Sequence, residues 1–303
     1  MKRIFSLGVS MFMVATFSLM AQAPSDNKAA LDAYNKGAEA LKKKDFPNAL
    51  TNFSKAIETD PKMSAPLVNR GIIYSGQNKI PEALADFTKA ITVDPKDAVA
   101  YTQRGSIQSD LKKYTEAIAD FTKATEIEPK MADAFNGRAI VNYNQNKLPE
   151  AIADFTKAIA ADPKSFKAHF NRGVANDDVN KYAEAVADYT KAIELDPKDP
   201  DALVNRGSAY HKQNKFTEAI ADFTKAIEMN PKSAKAYSNR GLSLDEQKKF
   251  PEAIADYTKA IELDPMLASA YYNRGIILKF MGKSEAASAD FSKARDLKTN
   301  KAN

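Results

Sequence analysis

The sequence contains no cysteine and no tryptophan, and it has only two histidines, His169 and His211, among its 303 residues. Without cysteine the chain can form no disulfide, no thiol nucleophile and no cysteine-bound metal site. The two histidines lie far apart in the sequence and have no matching carboxylate clusters, so they do not form a metal-binding pattern. We therefore predict that the protein holds no metal and needs no cofactor.

Catalytic signatures are also missing. The chain has no glycine-rich phosphate loop, no HExxH motif and no nucleophile elbow. Lysine and arginine together number 44 and acidic residues 39, so the net charge of +5 is small and its signs are interspersed. Nucleic-acid binding usually calls for a concentrated basic stripe. We therefore predict a protein that is not an enzyme and has neither a small-molecule substrate nor a nucleic acid as its partner.

Residues 1–23 have the layout of a secretory signal peptide. A basic start is followed by an apolar run from Ile4 to Met20 and by small residues at Ala21 and Ala23. This predicts a protein exported to the periplasm or the medium, cut after Ala21 or Ala23 and carrying no lipid, because no cysteine follows the run. The alternative is an uncleaved membrane anchor, since the run is near the lower length limit for a spanning helix.

The rest of the sequence repeats every 34 residues. Seven prolines keep this step: Pro61, Pro95, Pro129, Pro163, Pro197, Pro231 and Pro265. An aromatic row keeps it too: Phe53, Phe87, Phe121, Phe155, Tyr189, Phe223, Tyr257 and Phe291. After a linker at 24–28 we predict eight units and a tail at 301–303. The units are 29–62, 63–96, 97–130, 131–164, 165–198, 199–232, 233–266 and 267–300.

Each unit is predicted to fold as two helices. In residues 64–97, one face of a first helix carries Leu67, Gly71 and Tyr74. A second helix begins near Pro81, because a proline is tolerated where its missing N–H would have had no partner. The Asp-Pro pair at 94–95 ends this helix, since a residue that precedes proline is pushed out of the α region.

The pattern resembles the tetratricopeptide repeat family over residues 28–300. One unit carries it at Tyr237, Gly241, Leu244, Ala253, Tyr257, Ala260 and Pro265. Departures are mild: Ala139 replaces the glycine of the fourth unit. The resemblance implies an all-α fold, a right-handed α-solenoid superhelix of helix-turn-helix repeats. It also implies that the first helices line a concave groove that holds an extended peptide or a partner helix, while the second helices face outward.

Two charged rows also follow the repeat. The arginines are Arg70, Arg104, Arg138, Arg172, Arg206, Arg240 and Arg274. The aspartates are Asp86, Asp120, Asp154, Asp188, Asp222, Asp256 and Asp290. We predict a ladder of structural ion pairs within or between neighbouring units, because a repeated, partly buried pair fixes register far more often than it reacts.

Positions that vary among the first helices are the candidates for partner binding. They are Asn69, Gln103, Asn136, Tyr143, Phe170, Asn171, Asp177, Asp178, Asn205, His211, Asn239, Asp245, Glu246, Tyr272 and Asn273. The asparagines resemble a ladder that holds a peptide backbone in some members of the family, although asparagine also packs at this position. The acidic members suggest a partner with basic residues. We expect His211, which lies beside Lys212, to be solvated.

The predicted function is an exported, non-enzymatic scaffold that binds a protein or peptide in its groove. A membrane-tethered component of a cell-envelope assembly is the alternative, and a helical-repeat nucleic-acid binder is a less favoured one. The last helix carries Ser288 and Arg295 where earlier units carry isoleucine. We expect it to act as its own polar cap, because a terminal repeat needs a polar outer side.

Overall fold

A computed structural model describes residues 26–299, which fold into helices connected by short turns. The predicted signal peptide at 1–23 and the tail at 301–303 lie outside these residues. The described helices fall into two compact units, which divide after Pro163 and are taken here one at a time. The first helix begins at Lys28, and the Asn27 carboxamide oxygen accepts hydrogen bonds from the amides of Ala29 and Ala30.

Unit 1 contains four helix pairs. Its helices are α1 (Lys28–Lys42), α2 (Phe46–Thr59), α3 (Ser64–Gly76), α4 (Ile80–Val93), α5 (Ala98–Asp110), α6 (Tyr114–Ile127), α7 (Ala132–Asn144) and α8 (Leu148–Ala161). Unit 2 contains four more pairs. Its helices are α9 (Phe166–Asp178), α10 (Tyr182–Leu195), α11 (Pro200–Lys212), α12 (Phe216–Met229), α13 (Ala234–Glu246), α14 (Phe250–Leu263), α15 (Ala268–Phe280) and α16 (Ser284–Thr299). The predicted fold class, an all-α helical-repeat solenoid, is confirmed.

The turn inside each pair depends on one residue in the left-handed region. These residues are Lys44, Asn78, Lys112, Asn146, Asn180, Asn214, Lys248 and Gly282, with φ between 59° and 76°. Between pairs the chain leaves the helix in an extended conformation, as at Asp94 with φ −127°. The Asp94 carboxylate accepts from the amide of Lys96 at 2.9 Å, and Asp97 then caps the next helix. Local residues therefore define both kinds of turn.

Each pair is held together by an aromatic ring against a small residue. Phe223 is fully buried between α11 and α12, and a Cβ built on Gly207 would lie 2.8 Å from its Cε1 atom. This distance is shorter than packed carbon atoms allow, so glycine lets the two helices approach. No helix within residues 26–299 is long and apolar enough to cross a membrane.

Candidate partner-binding site

The structure places each arginine of the charged rows beside the aspartate that follows it by 16 residues in the same pair. Arg206 donates from Nε and Nη2 to the two carboxylate oxygens of Asp222, at 2.8 and 2.7 Å. This forked geometry is the strongest that a guanidinium forms with a carboxylate, and it raises the pKa of Arg206. The other pairs are Arg70–Asp86, Arg104–Asp120, Arg138–Asp154, Arg172–Asp188, Arg240–Asp256 and Arg274–Asp290.

These arginines make a third contact that the sequence did not lead us to predict. Arg206 Nη1 donates to Thr190 Oγ1 at 3.1 Å, so one guanidinium on α11 joins α12 of its own pair to α10 of the preceding pair. The same hydroxyl contact recurs in Arg70–Ser54, Arg104–Thr88, Arg138–Thr122, Arg240–Thr224 and Arg274–Thr258. The hydroxyl residues do keep the 34-residue step, which could have revealed them. We call this arrangement the arginine rung, and its contacts are structural.

Two asparagines of the predicted binding row contact the preceding first helix instead of an open surface. Asn69 Nδ2 donates to the Tyr34 hydroxyl at 3.3 Å within unit 1. Asn239 Nδ2 donates to Ser208 Oγ at 3.2 Å within unit 2. These contacts favour the packing interpretation for both residues, because each carboxamide uses one of its two N–H donors to join neighbouring first helices. Gln103 and Asn273 are half-buried.

Five of the predicted groove residues are buried, and for these the expectation of an exposed binding side chain is corrected. They are Asn136, Phe170, Asn171, Asp177 and Asn205. The ring of Phe170 packs against those of Phe166 and Tyr189, each 5.7 Å away between centroids.

Asp177 and Asn205 have charged neighbours within unit 2. Lys212 donates to both carboxylate oxygens of Asp177, at 3.0 and 3.1 Å. Lys235 lies 3.5 Å from Asn205 Oδ1. This ion pair neutralises the Asp177 carboxylate of the predicted acidic groove. It also neutralises the ammonium group of Lys212.

His211 is half-buried, which corrects the expectation that it is solvated. Its Nδ1 atom forms a 3.0 Å hydrogen bond with Ser243 Oγ on the next first helix. Its ring centroid lies 5.3 Å from that of Phe216. Burial lowers the pKa of His211, so the ring is neutral at neutral pH and serves as a packing group.

The candidates that stay at the surface of unit 2 include three carboxylates at the ends of first helices. Asp178 ends α9 and Glu246 ends α13, and both are exposed, while the adjacent Asp245 is half-buried. We call Asp178, Asp245 and Glu246 the acidic edge. Burial and the charge of Glu246 raise the pKa of Asp245. A carboxylate is disfavoured at the C-terminal end of a helix dipole, so helix stability does not explain these residues.

Tyr143 in unit 1 is half-buried, and Tyr272 in unit 2 is exposed. Asp110, a further acidic residue among the variable first-helix positions, is exposed at the end of α5, and desolvation raises the pKa of its carboxylate. On the second helices, three lysines pair with a glutamate three residues later. These pairs are Lys123–Glu126, Lys191–Glu194 and Lys259–Glu262. Within residues 26–299 no cluster of histidine and acidic residues could hold a metal ion.

Solved structures with this fold include several repeat proteins. YrrB, whose structure is titled a TPR protein with an unusual peptide-binding site, is 26% identical, with a TM-score of 0.57, and the match covers 61% of this chain and 95% of YrrB. MamA is 26% identical, with a TM-score of 0.51 over 54% of this chain and 96% of MamA. A tetratricopeptide repeat protein from Parabacteroides merdae is 22% identical, with a TM-score of 0.55 over 86% of this chain and 99% of its own, and shows the fold alone.

No curated protein matches the chain in sequence. Family models match it along most of its length. Models described as "Tetratricopeptide repeat" match residues 65–97, 102–166, 200–233, 234–267 and 268–300. A model described as "TPR repeat" matches 178–214. The chain is a member of the tetratricopeptide repeat family, whose fold is typical of protein-interaction scaffolds.

Proposed function

We propose that the chain is a non-enzymatic scaffold that binds a protein segment bearing basic side chains at the acidic edge of unit 2. The observation that carries this proposal is the pair Asp245 and Glu246, two neighbouring carboxylates at the negative end of α13. Each charge makes the other less favourable, and the helix dipole opposes both. A lysine or arginine side chain beside them would offset both the repulsion between the two carboxylates and their unfavourable interaction with the helix dipole. A neutral or acidic ligand would not.

The fold supports a peptide or protein as the ligand. The first helices α9 and α13 of unit 2 end in the exposed carboxylates Asp178 and Glu246, while the charge of Lys212 at the end of α11 is paired with Asp177. Their last turns therefore offer carboxylates to a chain with basic side chains. YrrB, which shares the repeat and is described as having a peptide-binding site, supports the same class of ligand. Catalysis has no support here, because the arginine rungs use their charged groups for packing.

Binding to synthetic peptides tests the proposal. We expect a lysine-rich peptide to bind by fluorescence anisotropy and a glutamate-rich peptide of equal length to bind far more weakly. The double variant Asp245→Asn, Glu246→Gln should bind the basic peptide about tenfold more weakly, since two exposed charge pairs contribute about 1.4 kcal/mol together. The matched control Glu218→Gln, Glu252→Gln removes two exposed carboxylates from second helices and should bind normally. Equal loss in both variants would contradict a site at the acidic edge.

The pH dependence of peptide binding gives a second test of the same site. Because the pKa of Asp245 is raised, its carboxylate takes up a proton at a higher pH than an ordinary aspartate does. Binding of a cationic peptide should therefore weaken as the solution is acidified, and it should begin to do so at a higher pH than at a site built on an ordinary aspartate. Asp245→Asn should reduce this dependence, and an unchanged pH profile would exclude Asp245 from the site.

We also propose that the chain acts after export, directed by residues 1–23. The basic start, the apolar run and the small residues that follow it support this. N-terminal sequencing of the protein from the cell envelope separates the alternatives. A mature end just after Ala21 or Ala23 fits a free scaffold in the periplasm or medium. A retained N-terminus in the membrane fraction fits a tethered component of an envelope assembly.

A further inference from the structure

The last first helix carries an uncovered apolar stripe. Tyr272, Ile276 and Phe280 follow one another at four-residue steps and so lie on one face of α15. They are 47%, 44% and 75% exposed. Lys298 Nζ lies 5.3 Å above the Tyr272 ring, and the Phe280 ring contacts Phe250 at 5.2 Å between centroids. We call these three residues the α15 stripe. It differs in chemistry from the acidic edge, although Phe280 stands at the repeat position that Asp178 and Glu246 occupy on α9 and α13.

In α11 the next first helix covers the positions that correspond to Tyr272 and Ile276, whereas the position that corresponds to Phe280 is exposed and holds a charged residue, Lys212. Val204, which precedes Tyr272 by two repeats, is 2% exposed and packs with Ala236 of α13. Ser208, which corresponds to Ile276, accepts the hydrogen bond from Asn239 of α13. No first helix follows α15 within residues 26–299. Within these residues the Tyr272 and Ile276 positions, which pack against a helix in α11, are therefore uncovered at α15, and Phe280 adds an exposed ring beside them.

We propose that a second copy of this chain covers the stripe, with α15 packed antiparallel on α15 about a two-fold axis. The stripe is complementary to itself in this arrangement. Ile276 lies in the middle of the stripe and would meet its own equivalent at the axis, while Tyr272 of each copy would meet Phe280 of the other. Aromatic rings paired in this way contribute beyond their buried area. An interface of this kind uses the same patch on both copies and closes without forming a fibre.

The opposite end of the array does not fit the stripe. The positions through which Asn239 and Ser243 reach the preceding first helix hold Asn35 and Glu39 in α1, and both are exposed. Stacking α1 of one copy on α15 of another would bury the Glu39 carboxylate against apolar side chains, which is unfavourable without a partner for the charge. The polar face of α1 thus favours a two-fold pair of α15 helices over a head-to-tail chain of copies.

The size of the stripe sets the strength of the dimer. Aromatic side chains bury about 150–250 Å² each when fully covered, so three partly covered side chains per copy give an interface of roughly 600 Å² in all. Stable interfaces usually bury about 1,200 Å² or more. We therefore expect a reversible dimer with a dissociation constant on the order of 10–100 µM, populated at high protein concentration.

Sedimentation equilibrium of the purified protein over a wide concentration range tests the proposal. The wild type should shift from monomer to dimer as its concentration rises. Ile276→Lys and Ile276→Glu each place like charges at the axis, so each variant alone should stay monomeric. An equimolar mixture of the two should dimerise again, because a two-fold axis brings the introduced ammonium group of one variant beside the introduced carboxylate of the other. The control Leu111→Lys changes a side chain that is 47% exposed in unit 1 and should dimerise as the wild type does.

Three results would overturn the proposal. A wild type that is monomeric at every concentration shows that the stripe does not bind itself and leaves it to a different partner. A dimer that both single variants retain is formed by another surface. A mixture of the two variants that stays monomeric, beside a wild type that dimerises, shows that the copies do not meet at a two-fold axis through Ile276. Circular dichroism of each variant checks that the helices are intact.

Discussion

The first and second helices of one repeat obey different constraints, although they are almost equal in length. Second helices repeat nearly the same letters, as in TEAIADFTKAI at 217–227 and PEAIADYTKAI at 251–261. First helices after α1 share their arginine and mostly their glycine, but their other positions differ from unit to unit. A residue that packs or bonds to several partners cannot change alone, whereas an exposed residue can. Specificity therefore belongs to the positions where first helices vary and remain accessible.

The strongest way to test this contrast is to remove a buried ring from a second helix. Phe223→Ala should lower the free energy of unfolding by about 3–5 kcal/mol, because it leaves a cavity against Gly207. Phe280→Ala, which truncates the same type of side chain where it is largely exposed on a first helix, should change stability by less than about 0.5 kcal/mol. Urea unfolding of dilute protein, followed by circular dichroism, measures both. Similar losses of unfolding free energy in the two variants would contradict the contrast between buried second-helix positions and exposed first-helix positions.

The arginine rung tests the same contrast from the other side. Its arginine lies on a first helix, yet it is held by several packing contacts, as second-helix residues are. Arg206→Ala should cost about 2–3 kcal/mol, because Asp222 keeps a buried charge without its forked partner. Arg206→Lys should recover only part of this, as an ammonium cannot donate two parallel hydrogen bonds. Urea unfolding with the double variant Arg206→Ala, Asp222→Ala completes the cycle. Additive effects of the two single changes would mean that the pair does not interact.

The third contact of the rung predicts a smaller loss. Thr190→Val keeps the shape of the side chain but removes the acceptor for Arg206 Nη1, so we expect a cost of about 1 kcal/mol. Thr115→Val on α6, where the side chain is exposed, is the matched control and should be nearly neutral. Thermal unfolding of both variants gives the comparison. A cost in the control equal to that in Thr190→Val would show that the hydroxyl contact contributes nothing.

The smallest effect is expected in the turn that joins the two kinds of helix. Lys112 has φ 59°, a conformation that glycine adopts without the strain of a Cβ. Lys112→Gly should therefore stabilise the protein by about 0.5–1 kcal/mol in urea unfolding. Gly282, with φ 76°, occupies the same position in the last pair, so Gly282→Ala should have the opposite sign. A loss of stability in Lys112→Gly would mean that the lysine side chain contributes a contact there.

Much of the fold could be read from single positions of the repeat. The proline at the end of each second helix and the aromatic at its centre act through local backbone geometry and through burial, which depend on residue type. The partners of Arg206 were only partly predictable. The aspartates form a row with the same 34-residue step as the arginines. The hydroxyl residues keep this step too, but they come from the preceding repeat, and the step alone does not say which repeat's hydroxyl meets the arginine.

The exposure of the groove residues was harder to predict from the sequence, because helix stacking decides which face of a first helix remains open. Phe170 and Asp177 look like surface candidates in sequence, yet each is only 1% exposed. His211 looks solvated beside Lys212, yet it bonds to Ser243 on the next first helix. Such contacts join residues that are about one repeat apart, and no local pattern indicates which side chains meet.

The sequence by itself determined the helix pairs, their period and their family, since these depend on periodic burial and on turns that a few residues define. Only the tertiary structure decided which charges are paired, which amides are used for packing, and which apolar side chains remain uncovered. The reason is physical: propensity and periodicity act within one helix, whereas exposure and pairing depend on the helix that packs beside it. Tyr272 follows the same 34-residue step as Val204, and only the absence of a described helix beside α15 leaves its side chain exposed.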